Sequence, residues 1–599
     1  MPNVSIPTAF SLDPSSIDEA RPMKVIVIGA GYTGIISAIR FPQKVKNLDF
    51  VVYEANAGVG GVWYSHRYPG LACDNPAHCY QLTFEPNKNW SSFYPGGPEI
   101  QSYLEGVVDK YKLWPYIKLQ HKVVRAQYDE LTGKWTLKIR RPKVPVQGQS
   151  EGGMEFEEFE DTADIVLSAM GALGRWNWPD ISGLAEYKGK LIHSAEWETG
   201  EGDPLAGWRT TVKSWASKRV AVIGVSSSGT QIVTALQPRV GKLVNYARSK
   251  TWMTVLFGHD KMHELAKDPN AMNYQFTDED KKGFEDPVEY LKFRKSLEQL
   301  MQNVYPVLLT DHPMQAHIRK LFTQYMKAKL AAKPEIAESL TPDFPFGIRR
   351  PVPDSGFLNA VCQDNVEFEP GRIAKITETG IEAADGKHQE FDAIVCATGY
   401  DLSFDYRFPI LGRKGRDLKD EWSGPYPRTY LSIATRGFPN WFQSLGPNGM
   451  VPGGSLTLGF ERLVDYVVEV TLKLQRDRYK SIEARKEAVD GFDRFADSYF
   501  KKTVYGQPYA STYKAGNSPD GRVFVIWPGA PLHLAKALKN PRWEDYSYES
   551  TIGDEYENIA WLGDGTTLAN MDPNADRAWY VDPENIDFPE VPTEGTEAT

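Results

Sequence analysis

Hydrophobic and polar positions follow the same order twice in this 599-residue chain: a short β-branched run, a glycine-rich turn, a helix-period segment and a second β-branched run. Lys24 to Ile28 has the near-continuous apolar character of a strand covered on both faces, and it passes straight into a turn containing Gly29, Gly31 and Gly34. Ile35, Ile36, Ala38 and Ile39 then recur at helical spacing, and Asp49 to Tyr53 supplies a second strand ending at Glu54. The later copy begins at Arg219 to Ile223 and turns through Gly224, Ser226, Ser227, Ser228 and Gly229. It continues as a helix through Ile232, Val233 and Leu236, and a strand from Lys242 to Ala247 leads to Arg248 and Ser249. A repeated unit of this kind predicts parallel sheets covered by helices, hence an α/β protein.

The segments around the two copies complete the layout. Val123 to Tyr128 and Lys134 to Arg140 predict an antiparallel hairpin turned at Leu131 to Gly133, and the Gly-, Pro- and Glu-rich stretch from Pro142 to Asp161 predicts an exposed loop. Asp164 to Met170 and Phe391 to Ala397 are buried-strand candidates; they exit into Gly171 and into Thr398, Gly399 and Tyr400, where the chain is expected to cross between domains. From Asp260 to Pro342 the pattern is helical and charged, with Tyr290 to Tyr305 and His317 to Ala332 as the best amphipathic segments, and Leu463 to Phe500 is helical again. The expected division is an extension over 1–22, a first domain over 23–180, and a second over 181–394 with a helical insertion near 258–342. The first domain and a C-terminal region then resume over 395–585, followed by a disordered acidic tail over 586–599.

A strand, a tight glycine turn and a helix N-terminus make a seat for a pyrophosphate, and the end of the second strand meets the adenosine ribose. The units therefore read as two Rossmann-like dinucleotide-binding domains. Gly29 allows the turn, Gly31 brings the backbone near the phosphates and Gly34 lets the helix pack closely. A turn that merely packed a helix on a strand would have no need of Glu54, whose carboxylate suits a free ribose diol. Arg248, at the matching place in the second unit, suits a ribose carrying a 2′-phosphate, although most exposed basic clusters are only solvated. FAD is thus expected in the first unit and NADPH in the second. Ser226 replaces the middle glycine of the second turn; its Cβ crowds the approach while its hydroxyl can itself bind phosphate.

Composition narrows the partners. A net charge of −10 and a pI near 5.7 argue against nucleic acid. Four cysteines, none in a close pair, suggest a reducing, cytoplasmic setting. Met1 to Arg21 lacks the apolar core of a secretory signal, and no apolar run approaches the roughly 18 residues of a bilayer span, so no stable membrane insertion is expected. No metal is expected either, and oligomeric state is not readable.

Gly60, Gly61, Trp63, Tyr68, Pro69, Gly70 and Asp74 stand where the longer fingerprint of type I Baeyer–Villiger monooxygenases, the class B flavoprotein monooxygenases, has its fixed residues, and the chain resembles that family. Tyr187, Gly189, His193 and Trp197 are similar to the shorter fingerprint, with Tyr187 for the usual Phe and Glu198 where Pro or Asp commonly follows. Phe344 to Arg350, Ala397 to Asp401, Gly446 to Asn448 and Trp527 to Trp543 extend the resemblance, the last looking like the larger fungal members. The resemblance implies insertion of one atom of O2 beside the carbonyl of a small-molecule ketone to give an ester or lactone, in natural-product chemistry. It implies that Arg350 and Asp74 are catalytic, the arginine steadying the flavin's oxygen adduct and the acid pairing with it. It further implies that Arg349 contacts the NADP phosphate, that Gly61, Trp63, Tyr80, Ser249 and Asn448 border the cofactors, and that His193 and Trp197 couple domain movement. Trp527 is expected to face substrate. Read without the family, Arg349 and Arg350 could be surface charges, and His193, Trp63, Tyr68 and Trp197 could simply pack.

Three other classes share parts of this pattern. Pyridine-nucleotide disulfide reductases need two redox cysteines close together, but Cys73 and Cys79 fit neither usual spacing. Flavin-dependent S- or N-oxygenases lack the Gly60 to Asp74 fingerprint in this form, and an NADP-binding regulator would not need both Asp74 and Arg350. The ketone itself cannot be read, since pocket walls come from loops and the helical insertion.

Overall fold

The computed structural model describes residues 12–143, 155–199, 207–303, 305–551 and 557–589. Two five-stranded parallel sheets organise it. The first runs, in spatial order, Trp441–Gln443, Ile165–Ser168, Met23–Ile28, Leu48–Tyr53, Ile117–Lys118. The second runs Val366–Pro370, Lys242–Ala247, Arg219–Ile223, Ala393–Cys396, Lys190–His193. In both, the strand that feeds the glycine turn is central. The chain leaves the first sheet after Ser168, builds the second, and returns at Trp441.

Alternation along the central strands explains the unbroken apolar runs. Val25 and Val27 pack against the helices Tyr32–Lys44 and Leu456–Arg476, while Ile26 and Ile28 meet Trp135 and Leu137 of an antiparallel sheet on the other face. In the second unit Val220 and Val222 face Ile232 and Val233, and Ala221 and Ile223 face Ile376 and Ile381 of a small three-stranded sheet. Each such valine or isoleucine contributes about 1.5–3 kcal/mol by leaving water. The helices sit unusually close to the turns: a Cβ at Gly34 would lie 2.0 Å from the Gly29 carbonyl oxygen, and one at Gly229 would lie 2.4 Å from that of Gly224.

Several expectations change. Pro142 to Asp161 is not a loop throughout, because Lys134–Pro142 pairs antiparallel with Phe156–Ala163, from Trp135 opposite Ala163 to Pro142 opposite Phe156. This outer strand is mostly exposed, so ion pairs rather than apolar alternation hold it: Glu158 meets Lys138 at 2.6 Å and Arg140 at 2.8 Å, and Glu157 meets Arg141 at 2.6 Å. Residues 144–154 of that stretch lie outside the described residues. The helical span from Leu463 is broken by Tyr479–Ala484, a strand paired antiparallel with Tyr546–Ser550, before Lys486–Phe500 resumes as helix. Arg478, at φ +58, turns the chain between helix and strand.

The helical stretch after Gly258 serves both cores. Met262, Phe276, Leu297 and Met301 pack with the first unit, and Phe322, Met326, Leu330 and Leu340 with the second. The described end of the N-terminal extension is pinned rather than free, with the Ile17 amide donating to the Thr566 carbonyl at 3.0 Å and Arg21 donating to the Leu474 and Tyr479 carbonyls. Residues 1–11 and, in the expected tail, 590–599 lie outside the described residues.

Because the Gly34 contact is with backbone, Gly34→Ala must push the helix off the turn, an overpacking that costs about 1–3 kcal/mol. We expect a lower melting temperature together with reduced flavin content after purification; unchanged values of both would show that the helix tolerates the shift.

Candidate active site between the two dinucleotide units

At the first turn the seat for a dinucleotide is open in the way the chemistry needs. Gly31 caps the helix Tyr32–Lys44 with no side-chain bond to the first-turn amides. A Cβ on Gly61 would lie 3.1 Å from Gly31 Cα, so the two glycines keep the mouth of the turn clear. Glu54 is buried there, its Oε2 accepting from the Ala30 amide at 2.7 Å and its Oε1 from the Asn56 amide and side chain, each at 2.7 Å. Burial pushes its pKa up while these donors pull it down. Beside Gly61, the Trp63 indole donates to the Tyr80 hydroxyl at 3.3 Å with the rings edge to face at 5.5 Å, and Tyr32 donates to the Tyr80 carbonyl at 2.9 Å.

The second turn presents the same opening with a different charge. Ser226 is exposed and its side chain caps nothing, leaving the first-turn amides of the helix Ser227–Leu236 without a side-chain cap. The turn is held from below by Asn245, whose amide donates to the Val222 carbonyl at 3.0 Å and the Gly224 carbonyl at 3.1 Å. Arg248 is exposed beside Ser249 and makes no hydrogen bond or ion pair with the described residues. Arg349 is near enough for its pKa to be lowered, first by burial and then by the Arg248 charge. Its guanidinium lies over the Phe344 ring at 4.9 Å and donates to the Ala510 carbonyl at 2.9 Å. Two neighbouring cations without a carboxylate between them fit a phosphate-bearing group.

Between the units, Arg350 Nη2 meets Asp74 Oδ2 at 2.6 Å. The acid is the main reason that the guanidinium's pKa stands above its ordinary value. The arginine side chain is 50% exposed and the acid 16%, so the positive group borders open space while its partner is mostly covered. Asp74 also lines a cleft of about 280 Å³ whose other walls include Gly70, Ser227, Thr230, Leu256 and Met272. Cys73 and Cys79 are both buried and unpaired, and burial pushes both thiols up, away from the thiolate that redox exchange requires.

Residues 27–95 match the NAD(P)-binding Rossmann-like domain family. The chain is 33% identical over 580 residues to the FAD-binding monooxygenase tazF of Aspergillus terreus, covering 96% of this chain and 97% of that one. The chain belongs to this family of flavin-dependent monooxygenases. A Baeyer-Villiger monooxygenase of Pseudomonas aeruginosa is 28% identical, covering 85% of this chain and 88% of its own. A solved oxidized steroid monooxygenase bound to NADP superposes with a TM-score of 0.70 at 27% identity, covering 88% of this chain and all of that one.

The remaining positions expected of such a monooxygenase separate into two groups. His193 ends a strand of the second sheet, opposite Cys396, and stacks on Trp176 with centroids 4.1 Å apart and planes 10° apart. Its Nδ1 accepts from the Ala195 amide at 3.2 Å and its Nε2 lies 3.4 Å from the Thr398 hydroxyl, so it joins the two crossing segments. Trp197 is buried, donating to Thr211 at 3.4 Å. Asn448 and Trp527 differ from expectation. Asn448, at φ +61, donates its amide to the Ile526 carbonyl at 2.8 Å and is buried, which ties two loops together. Trp527 is 1% exposed, packs on Phe492 and donates to His533 at 3.1 Å, so its ring fills the first core instead of facing substrate. Gln231 and Trp176 are contacts that sequence reading missed; Gln231 had a cue, lying one turn into the helix after the second glycine turn, while Tyr400 stands at an expected crossing between domains.

Burial lowers the pKa of His193 to about 4, and of His66, stacked on Tyr400 at 5.0 Å, to about 4. Both are neutral in the folded protein where an unfolded histidine, at about 6.5, takes a proton. The unfolded state therefore binds more protons between those values, and stability is full above about pH 6.5 and declines as pH falls toward 4. We expect the melting temperature to drop from pH 7 to pH 5, and His193→Gln to remove about 2 kcal/mol of that loss; an identical drop in the variant would show that His193 does not titrate this way.

Proposed function

We propose that this chain binds FAD at the first turn and NADPH at the second, and inserts one atom of O2 between a ketone carbonyl carbon and its neighbour, giving an ester or lactone, with the other atom leaving as water. The observation that carries the reading is the Asp74 to Arg350 contact of 2.6 Å at the crevice between the units. FAD, when bound, supplies the reduction and oxygen-activation chemistry. The chain's residues do the rest: Glu54 and the Gly29 to Gly34 turn hold the flavin dinucleotide, and Arg248, Arg349 and the serine-bearing turn hold the phosphorylated nicotinamide dinucleotide. Arg350 presents a fixed positive charge to the negative charge that develops on the transferring oxygen. Asp74 fixes the direction of that charge. Such a preorganised donor is worth about 3 kcal/mol of transition-state stabilisation where water is excluded.

The mostly apolar cleft favours an apolar ketone as substrate. The four unpaired cysteines favour the cytosol as the place of action. Among the described residues no helix is long and apolar enough to cross a membrane.

Arg350→Ala is expected to retain flavin reduction by NADPH while oxygenated product falls about 10²- to 10³-fold and hydrogen peroxide is released in its place. Mass spectrometry of a ketone panel, read for the gain of one oxygen, checks this; undiminished ester would remove Arg350 from the assigned role. If only sulfides or amines in a parallel panel gain oxygen, the heteroatom reading replaces the ketone one. Arg248→Ala is expected to narrow the ratio of kcat/KM for NADPH over NADH by roughly tenfold, the loss of one charge-assisted contact; an unchanged ratio assigns the 2′-phosphate elsewhere.

A further inference from the structure

Tyr68 to Asp74 is bound on two sides. Toward the first unit, the Cys73 amide donates to the Pro95 carbonyl at 2.9 Å and the Gly97 amide donates to the Leu71 carbonyl at 2.9 Å. Toward the second unit the segment lies on the helix Ser227–Leu236, where the Gln231 side chain makes two polar contacts. Gln231 Nε2 donates to the Ala72 carbonyl at 3.1 Å, and Gln231 Oε1 accepts from the Tyr68 hydroxyl at 3.0 Å. The amide orientation is set at both ends, because only its nitrogen can donate and only its oxygen can accept. The approach is so close that Gly70, at φ +78, could carry no side chain: a Cβ there would sit 2.7 Å from the Gln231 carbonyl oxygen and 3.2 Å from Ala235 Cβ. Ser228, in the first turn of the same helix, lies near the Tyr68 and Tyr400 hydroxyls and partly offsets the upward push that burial gives both.

We infer that Gln231 is a positioning residue that locks the Tyr68 to Asp74 segment onto the helix of the second glycine turn, so that a dinucleotide seated at that turn and the Asp74 to Arg350 pair hold one common geometry. The physical reason is spacing. Gln231 is one helical turn beyond Ser227 and Ser228, so the rigid first turn carries the dinucleotide seat at its tip and the lock on its flank. Asp74 lies two residues past Ala72, the carbonyl that Gln231 holds. Without the lock the segment keeps its first-unit bonds and loses both Gln231 bonds, and Asp74 is then tied to the second unit through Arg350 alone. The inference rests on membership of the flavin monooxygenase family and does not depend on the ketone reading.

The test uses the FAD-loaded full chain. Gln231→Leu keeps the volume and removes both bonds; Tyr68→Phe removes one; the double variant closes a cycle. Hydrogen exchange over residues 68–74 without nucleotide is read first, and NADPH oxidation without any substrate, followed as peroxide release, second. Gln231→Leu should speed exchange at the Leu71 and Cys73 amides by roughly tenfold, the loss of about one net hydrogen bond. It should raise substrate-free peroxide release severalfold, with flavin content and melting temperature near the parent's. The double variant should show no more than Gln231→Leu alone. Gln231→Glu, which keeps an acceptor for Tyr68 and loses the donor to Ala72, should fall between. Unchanged exchange and unchanged peroxide release would overturn the inference. So would protection lost throughout the protein with a lowered melting temperature in both single variants, which would make Gln231 a packing residue only. Neither outcome bears on whether a ketone is the substrate, since none is present.

Discussion

A contact of 2.6 Å joins Asp74, in the loop after the first glycine turn, to Arg350, which lies 276 residues further along the chain. As a half-exposed pair it is worth no more than about 1 kcal/mol of stability after solvent screening. Its importance is positional. A carboxylate carried by one dinucleotide unit orients a guanidinium carried next to the other, so the charge at the crevice exists only when both units are built and docked. Neighbouring features surround that placement: the glycine turns lie on either side, Gln231 holds the acid-bearing segment, and Arg349, adjacent to Arg350, packs over Phe344 and donates to the Ala510 carbonyl.

The two units show how one supersecondary plan acquires two tasks. Both bury a central parallel strand between helices and a small antiparallel sheet, and both bring a helix within backbone contact of the turn. They differ at the polar ends of their strands. The first unit buries an acid under three donors; the second exposes an arginine with no internal partner and sets another beside it. An acid satisfied from below and free to accept from above suits a diol, and two unneutralised cations suit a phosphate ester. The shared architecture thus leaves the difference between the units to a few side chains.

Histidines and cysteines near the crevice are kept out of proton and redox chemistry by burial. His66 and His193 are neutral and stacked on Tyr400 and Trp176, and the thiols of Cys73 and Cys79 are pushed up. The charged partner of Asp74 between the units is an arginine, which keeps its charge at any working pH. These aromatic stacks also bind the crossing segments, with His193 reaching from the second sheet to Thr398.

The repeated strand, turn and helix, the two glycine seats, Glu54 against Arg248 and the pairing partners Asp74 and Arg350 were all legible in the amino-acid sequence. Buried parallel strands need unbroken apolar runs, tight turns need glycine, and Glu54 and Arg248 sit at a set distance from such turns, while Asp74 and Arg350 were marked by the family resemblance. Features made by contacts between distant segments were not legible. The strand Phe156–Ala163 is polar on its exposed edge and is held by charges opposite it, so it carries no apolar signature. Tyr479–Ala484 lies between two helices and becomes a strand because Tyr546–Ser550 pairs with it. Trp527 turned inward because the core offered Phe492 and His533. These features, and the Gln231 lock, arise in the assembled fold alone, since each depends on which surfaces come to face one another after the units dock, and local periodicity holds no record of that.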